Sequence, residues 1–391
     1  MMGAFDQIFV TLKHWAVFHS PAVVQPAVSV ILSVVPVLAI FPGLFAVTTI
    51  LERKGLARIQ NRYGPNRVGP FGFLQPLADG LKSLTKEDIV PRSADKLVHF
   101  VAPLLLVVTA FLEYAVLPVG RNMVVADLDA GVLYFFAVSA AMELSIFMAG
   151  WSSRNKYSML GAMRAVAQMI SYEVPLILSS VAVIMTAGSL STVTIVERQA
   201  GYSGIWPHWY VLTPWGLAGF ILFMIAATAE SNRSPFDLPE GESEIIAGYF
   251  TEYSGFKFAL FFLGEYLGMF AISGLGITLF LGGWSAPFSF LTWVPSWMWF
   301  FAKLLALIAI FIWVRGTLPR LRMDQLMNFA WKFMLPMALV VILSAGAWRF
   351  LPEGVLRWVI CAAPIGLLYV LLGRSLTGGQ KLEKRIYRFA E

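Results

Sequence analysis

Long stretches without charge divide this chain. No Asp, Glu, Lys or Arg occurs from Val23 to Leu51, a run that suffices to cross a bilayer as a helix. Pro36 and Pro42 lie inside it and predict kinks. Further apolar runs recur at about 97–118, 131–150, 159–187, 213–229, 254–281, 297–314, 333–351 and 355–373, so the pattern predicts nine spans. Two weaker patterns stand apart. Over residues 1–22, Phe5, Ile8, Phe9, Leu12, Trp15 and Phe18 recur every three or four positions, the face of an amphipathic helix lying in the interface. After the first span comes ERKGLARIQNRYGPNRVGP, dense in Arg and ending in turns at Gly64-Pro65-Asn66 and Gly69-Pro70. Beyond it, Phe73, Leu74, Leu77, Leu81 and Leu84 make one helical face, with Asp79, Lys82 and Lys86 off it. That is a second surface helix. The expected fold is all-α: a polytopic membrane bundle over 23–373, an amphipathic segment at 1–22 and a basic tail at 374–391. No internal repeat is visible.

Composition agrees with the pattern. The chain is 58% hydrophobic and 13% charged, where soluble domains run at about 25% charged, and its mean hydropathy is +0.72. The net charge of +6 sets orientation in such a protein and implies no nucleic acid. Loops 1, 3, 5 and 7 and the tail carry 21 Lys and Arg, against 5 for the N-terminal segment and the even loops. The odd loops and the C-terminus are therefore expected on the cytoplasmic side, with Trp284 to Trp299 at the outer interface. Cys361 is the single cysteine, and His14, His19, His99 and His208 lack the spacing of haem or metal ligands. No redox centre or metal site is expected in this chain. Asp6 and Lys13 interrupt the first 22 residues, which do not read as a cleavable signal.

The chemistry concentrates between Glu230 and Glu265. This stretch holds Glu230, Asp237, Glu240, Glu242, Glu244, Glu252 and Glu265 against Arg233 and Lys257. Glu113, Glu143 and Glu173 lie within other apolar runs. A charge at the centre of a span costs roughly 2.5–3.5 kcal/mol on insertion scales, so each carboxylate needs a base, a proton or water. Arg164 is nine residues before Glu173, on the opposite helix face, and Lys257 and Glu265 share a side about two turns apart. Acids outnumber bases, which suits transient proton carriage; paired structural glutamates are the other reading. Glu240-Gly-Glu242-Ser-Glu244 follows Pro235 and Pro239 and reads as a loop, either a solvated acidic face or a site. The Glu52–Arg67 segment and Arg315 to Arg322 supply the basic side, as membrane anchors, a polar mouth for a head group or a docking face.

Several motifs occur in a fixed order: Glu52-Arg-Lys, Gln60-Asn-Arg62-Tyr-Gly-Pro-Asn66, Gly72-Phe-Leu-Gln-Pro-Leu-Ala-Asp79, Lys156-Tyr-Ser-Met-Leu-Gly-Ala-Met-Arg164 and Ser171-Tyr-Glu173. Then come Glu230-Ser-Asn-Arg-Ser-Pro-Phe-Asp-Leu-Pro-Glu-Gly-Glu-Ser-Glu244, Glu252-Tyr-Ser, Glu265-Tyr, Trp313-Val-Arg315, Leu318-Pro-Arg320 and Asp324-Gln-Leu-Met. The chain thereby resembles the H subunits of bacterial NADH-quinone oxidoreductase, the respiratory complex I family, from about residue 48 to 340. The resemblance implies a multi-pass component of the bacterial inner membrane that helps form a quinone chamber and an acidic proton channel. Glu143, Glu173, Glu230, Glu240, Glu242, Glu244, Glu252 and Glu265 would then be channel carboxylates. Arg53, Arg62, Asp79, Lys82, Arg315 and Arg320 would surround the quinone, ubiquinone or menaquinone, as substrate. The implied partners are peripheral quinone-site subunits and small neighbouring membrane subunits, with FMN and iron–sulfur clusters held by partner chains. Glu113 matches none of the motifs. A membrane anchor of an energy-converting hydrogenase-type complex and a stand-alone proton-coupled transporter are the alternatives.

Overall fold

A computed structural model describes residues 6–237 and 247–378. The chain opens with α1 (Ile8–Phe18), followed by α2 (Gln25–Ile59) and the short α3 (Gln75–Thr85). The helices α4 (Lys96–Glu113), α5 (Gly131–Ser152) and α6 (Lys156–Ala187) come next, then the short α7 (Thr192–Gln199). A hairpin, β1 (Tyr202–Ser203) and β2 (Trp206–Pro207), leads to α8 (Pro214–Glu230), α9 (Gly255–Phe280) and α10 (Ser296–Thr317). Last come α11 (Met323–Phe329), a π-helical turn at Ala330–Met334, α12 (Leu335–Phe350) and α13 (Val355–Gly378). The fold is an all-α membrane bundle. Among the described residues, eight helices are long and apolar enough to cross a membrane, the segment Met323–Phe350 counting as one, and α8 is a shorter apolar helix of 17 residues.

The helix α9 is the inner member of the bundle, touching α2, α3, α4, α8 and α10. Its second half is buried continuously from Met269 to Phe280, as expected of a helix apolar all round. Around it, α4 packs on α5, α5 on α6, and α6 on α8 and α12. The helices α2 and α13 lie at the margin, each with 6% of its most apolar window buried. Helix α13 is nonetheless held: Ser344 Oγ donates to the Cys361 carbonyl at 2.9 Å, and the Arg357 guanidinium lies 4.0 Å over the Trp348 ring. On α3, Leu77, Leu81 and Leu84 stay exposed, the outward apolar face of an interfacial helix.

The structure differs from the sequence pattern in the length of one helix and in several short elements. The first helix does not stop at Leu51 but runs on to Ile59 through Glu52-Arg-Lys-Gly-Leu-Ala-Arg-Ile. Leu, Ala, Arg, Lys and Glu are good helix formers whether or not they are apolar, and Gly55 lets the helix lie against Ile312 of α10. The elements α7, β1–β2 and α11 lie in segments read as loops. They are too short for hydrophobic periodicity to expose them.

Candidate functional site

Where α2, α9, α10 and the chain after α8 meet, one carboxylate gathers two cations. Glu52 is 5% exposed. Arg233 Nη1 lies 3.3 Å and 3.4 Å from its two oxygens, Arg315 Nη1 donates to Oε1, and Tyr266 Oη donates to Oε2 at 2.5 Å. The Arg233 guanidinium also stacks 3.8 Å above the Tyr266 ring. The local chain path places Arg233: Gln168 Nε2 on α6 donates to the carbonyls of Ala229 and Phe236, each at 2.7 Å, tying down both ends of the turn. Asn232 within it takes φ 50°, a left-handed conformation that asparagine tolerates.

About 100° around α9 from Tyr266, at the adjacent Glu265, lies an acidic cavity. It leaves about 30 Å³ for water centres and is lined by Glu113, Ser139, Glu230, Asn232 and Glu265, with Met142 and Ile272 among its apolar walls. That is room for one or two waters. Ser139 Oγ donates to Glu230 Oε1 at 2.6 Å, whereas Glu230 Oε2 is buried with no hydrogen-bond partner among the described residues. Glu265 accepts from the Tyr249 hydroxyl at 2.7 Å. Gly161 on α6 permits this, because a Cβ there would lie 2.7 Å from Gly248 Cα and push the Tyr249 turn away. Glu143 on α5 and Glu173 on α6 are partly buried, and both lie within electrostatic reach of Glu230. The structure therefore brings Glu143, Glu173, Glu230 and Glu265 into one neighbourhood.

Glu252 stands apart, in the segment just before α9, and accepts from Nδ2 of Asn155, the residue that caps α6, at 2.7 Å. Its neighbour Tyr253 stacks on buried His99 with ring centres 3.9 Å apart, and burial pushes the Tyr253 phenol up to about 12. Glu240, Glu242 and Glu244 lie outside the described residues. Lys257 makes no bridge to Glu265; it pairs with Asp88 at 2.7 Å.

The basic residues split into separate groups. Arg53 pairs with Asp79 at 2.7 Å and Lys82 with the same carboxylate at 3.4 Å, joining α2 to α3. Partial burial pushes the Asp79 carboxyl up, but hydrogen bonds from Arg53 and Gln75 and the nearby positive charges outweigh it and hold it below its ordinary value. Arg315 belongs instead to Glu52. Arg62 is exposed and donates to Gln60, and exposed Arg320 donates to the Asp237 carbonyl. No local spacing in the sequence groups Glu52, Arg233 and Tyr266. A signal existed for Glu52, the first charge after a charge-free run, but its partners lie 181 to 263 residues away.

A model described as NADH dehydrogenase matches residues 32–346. The chain belongs to the NADH dehydrogenase family. Among its relatives, the NADH-quinone oxidoreductase H subunit of Rhodospirillum rubrum is 46% identical over 327 residues, covering 82% of this chain and 94% of the relative. The H subunit of the same enzyme from Polaromonas naphthalenivorans is 43% identical over 344 residues, covering 86% and 95%. That of Dehalococcoides mccartyi is 52% identical over 289 residues, covering 74% and 78%. The Glu52 cluster and every lining residue of the acidic cavity fall inside the segment matched by the family, whereas α1 and α13 lie outside it.

Proposed function

We propose that this chain is the H subunit of a proton-translocating NADH-quinone oxidoreductase in a bacterial inner membrane, with its odd loops and C-terminus cytoplasmic. The observation that carries the reading is the double face of α9. Adjacent residues on it serve two sites, Tyr266 the Glu52–arginine cluster and Glu265 the acidic cavity. One side offers guanidinium and phenol groups that can hold and polarise a quinone head group. The other offers carboxylates and water that can take up, store and release protons.

In this reading Arg53, Arg62, Asp79, Lys82, Arg315 and Arg320 surround the path of a ubiquinone or menaquinone, which is substrate. Glu143, Glu173, Glu230 and Glu265 form the buried length of the proton channel, and Glu252 with Glu240, Glu242 and Glu244 its cytoplasmic funnel. The chain contributes the binding surface and the proton path. A single cysteine cannot ligate an iron–sulfur cluster, so electrons reach the quinone from FMN and clusters in partner subunits. Peripheral quinone-site subunits and small membrane subunits complete the assembly.

Glu143→Gln and Glu173→Gln, introduced into the assembled complex, test the reading. Glutamine keeps volume and hydrogen bonding but cannot ionise. Assembly is expected to survive while quinone reduction and proton transfer fall together. Two variants that assemble and turn over like the parent would remove the channel role. A mild-detergent pull-down that returns hydrogenase-like subunits instead would move the chain to a different complex.

A further inference from the structure

Glu113 is the carboxylate that no motif explains. It ends α4, and the chain tightens there into a 3₁₀ turn at Tyr114–Val116. The Tyr114 hydroxyl donates to the Leu267 carbonyl at 2.6 Å, pinning this end of α4 against α9. Leu106 and Glu113 are seven residues apart, two helical turns, and so share the stripe facing the cavity. The same spacing brings Ser139 and Ile146 of α5, and Glu265 and Ile272 of α9, to that space.

Glu113 is 2% exposed, and it makes no hydrogen bond to any described residue. No described base pairs with it; the described salt bridges all lie on Asp79, Glu52 and Asp88. A buried carboxylate left without a partner is strongly disfavoured, so Glu113 must either carry a proton or be served by water in the cavity. The space is sufficient for a water, and the nearby Glu230 Oε2 has no partner among the described residues either. Two unsatisfied carboxyl groups opening onto one water-sized space are what a bridging water needs.

We infer that Glu113, Glu230 and Glu265 together form a hydrated proton-holding site, in which Glu113 is the far acceptor. Its ligands are water and one exchangeable proton. When a proton passes on, an O–H bond breaks at the Glu230 carboxyl, the water relays it, and an O–H bond forms at Glu113; no electron moves. The two carboxyls titrate as a unit, since a second negative charge in so small a space is opposed by the first. This inference rests on the channel reading and lengthens that channel beyond the residues the family resemblance supplies.

The test uses the complete complex in proteoliposomes, with Glu113→Gln, Glu113→Asp and Glu143→Gln compared with the parent. NADH oxidation by a soluble artificial acceptor monitors the integrity of the peripheral subunits. Glu113→Gln is expected to lower both quinone turnover and proton pumping at least about tenfold, below the range of about 100-fold or more that a directly transferring acid supplies, because water can partly substitute. Glu113→Asp keeps an ionisable group and should recover most of the loss. Parent-like rates in Glu113→Gln, with Glu143→Gln impaired, would overturn the role of Glu113 and leave the channel standing. Equal losses in Glu113→Gln and Glu113→Asp would show that an ionisable group at this position does not restore transfer, and would also overturn it. Parent-like rates in both Glu113→Gln and Glu143→Gln would remove the channel itself.

Discussion

Replacing Glu52 by Gln should loosen the junction of α2 with the Ser231–Asp237 turn. The Glu52 side chain is 6% exposed, that of Arg233 10% and that of Arg315 33%. Removing one partner of a buried pair costs about 3–5 kcal/mol, because the other is left charged and dry. Glutamine can still accept one hydrogen bond from Tyr266 or Arg233, which returns about 1 kcal/mol. The net loss is then about 2–4 kcal/mol, or roughly 30- to 1,000-fold in the population of the locally opened state. Hydrogen exchange of the assembled complex reads that population directly when reclosing is fast. Protection should fall over residues 56–60 and 231–237 and stay unchanged in the buried half of α9. Arg315→Ala should cost much less, at most about 1 kcal/mol, since Arg315 is partly hydrated and Glu52 keeps Arg233. If Arg315→Ala opened the junction as much as Glu52→Gln, or if Glu52→Gln left protection unchanged, Glu52 would not be the residue that holds this junction.

The surface pair makes a separate prediction: Arg53→Ala should raise the apparent KM for a long-chain quinone more than for a short soluble analogue, and equal effects would mark Arg53 as a simple membrane anchor. Lys303 makes another. Its ammonium donates to the carbonyls of Leu281, Gly283 and Ser285 at 2.7, 2.8 and 2.7 Å and lies 4.1 Å over the Trp209 ring. Lys303→Met strands those carbonyls and should cost about 2–4 kcal/mol, seen as faster exchange over 281–286; parent-like exchange there would refute the role of the ammonium.

The bundle was legible in the sequence because the bilayer imposes a strict grammar. A charge inside a span is expensive, so the charge-free runs stand out, and the helices now observed largely occupy those runs. What was not legible falls into two kinds. The extension of α2 to Ile59 was hidden because charged helix formers look like loop to a hydropathy reading. The Glu52 cluster was hidden for a different reason: Arg233, Tyr266 and Arg315 come together only through packing of helices distant in sequence, and no local spacing encodes that. Glu113 was legible as a carboxylate in an apolar run but not as a member of the acidic cavity, since only the stripe shared with Leu106 places it there. Lys257 shows the converse limit, as sharing a helix side with Glu265 did not make it a partner when Asp88 was within reach.

The two sites are joined twice by covalent chain, and this is the strongest reason to treat them as one device. Glu265 and Tyr266 are neighbours on α9, about 100° apart around the helix, the first bonded to Tyr249 beside the acidic cavity and the second to Glu52. Glu230 and Arg233 are three residues apart across one turn, and Ser231 and Asn232 between them line the cavity. A shift of the Arg233 backbone toward or away from Glu52 is therefore transmitted through one turn to Glu230, and a rotation of α9 that disturbs Tyr266 also moves Glu265. Under the proposed function, charge arriving at the basic cluster, as on a reduced quinone head group, would compete with Glu52 for the same two guanidiniums. Release of Glu52 from Arg233 would then be felt first by the turn that carries Glu230. Coupling of this kind needs no long wire through the protein, only one helix and one turn, each shared by both sites.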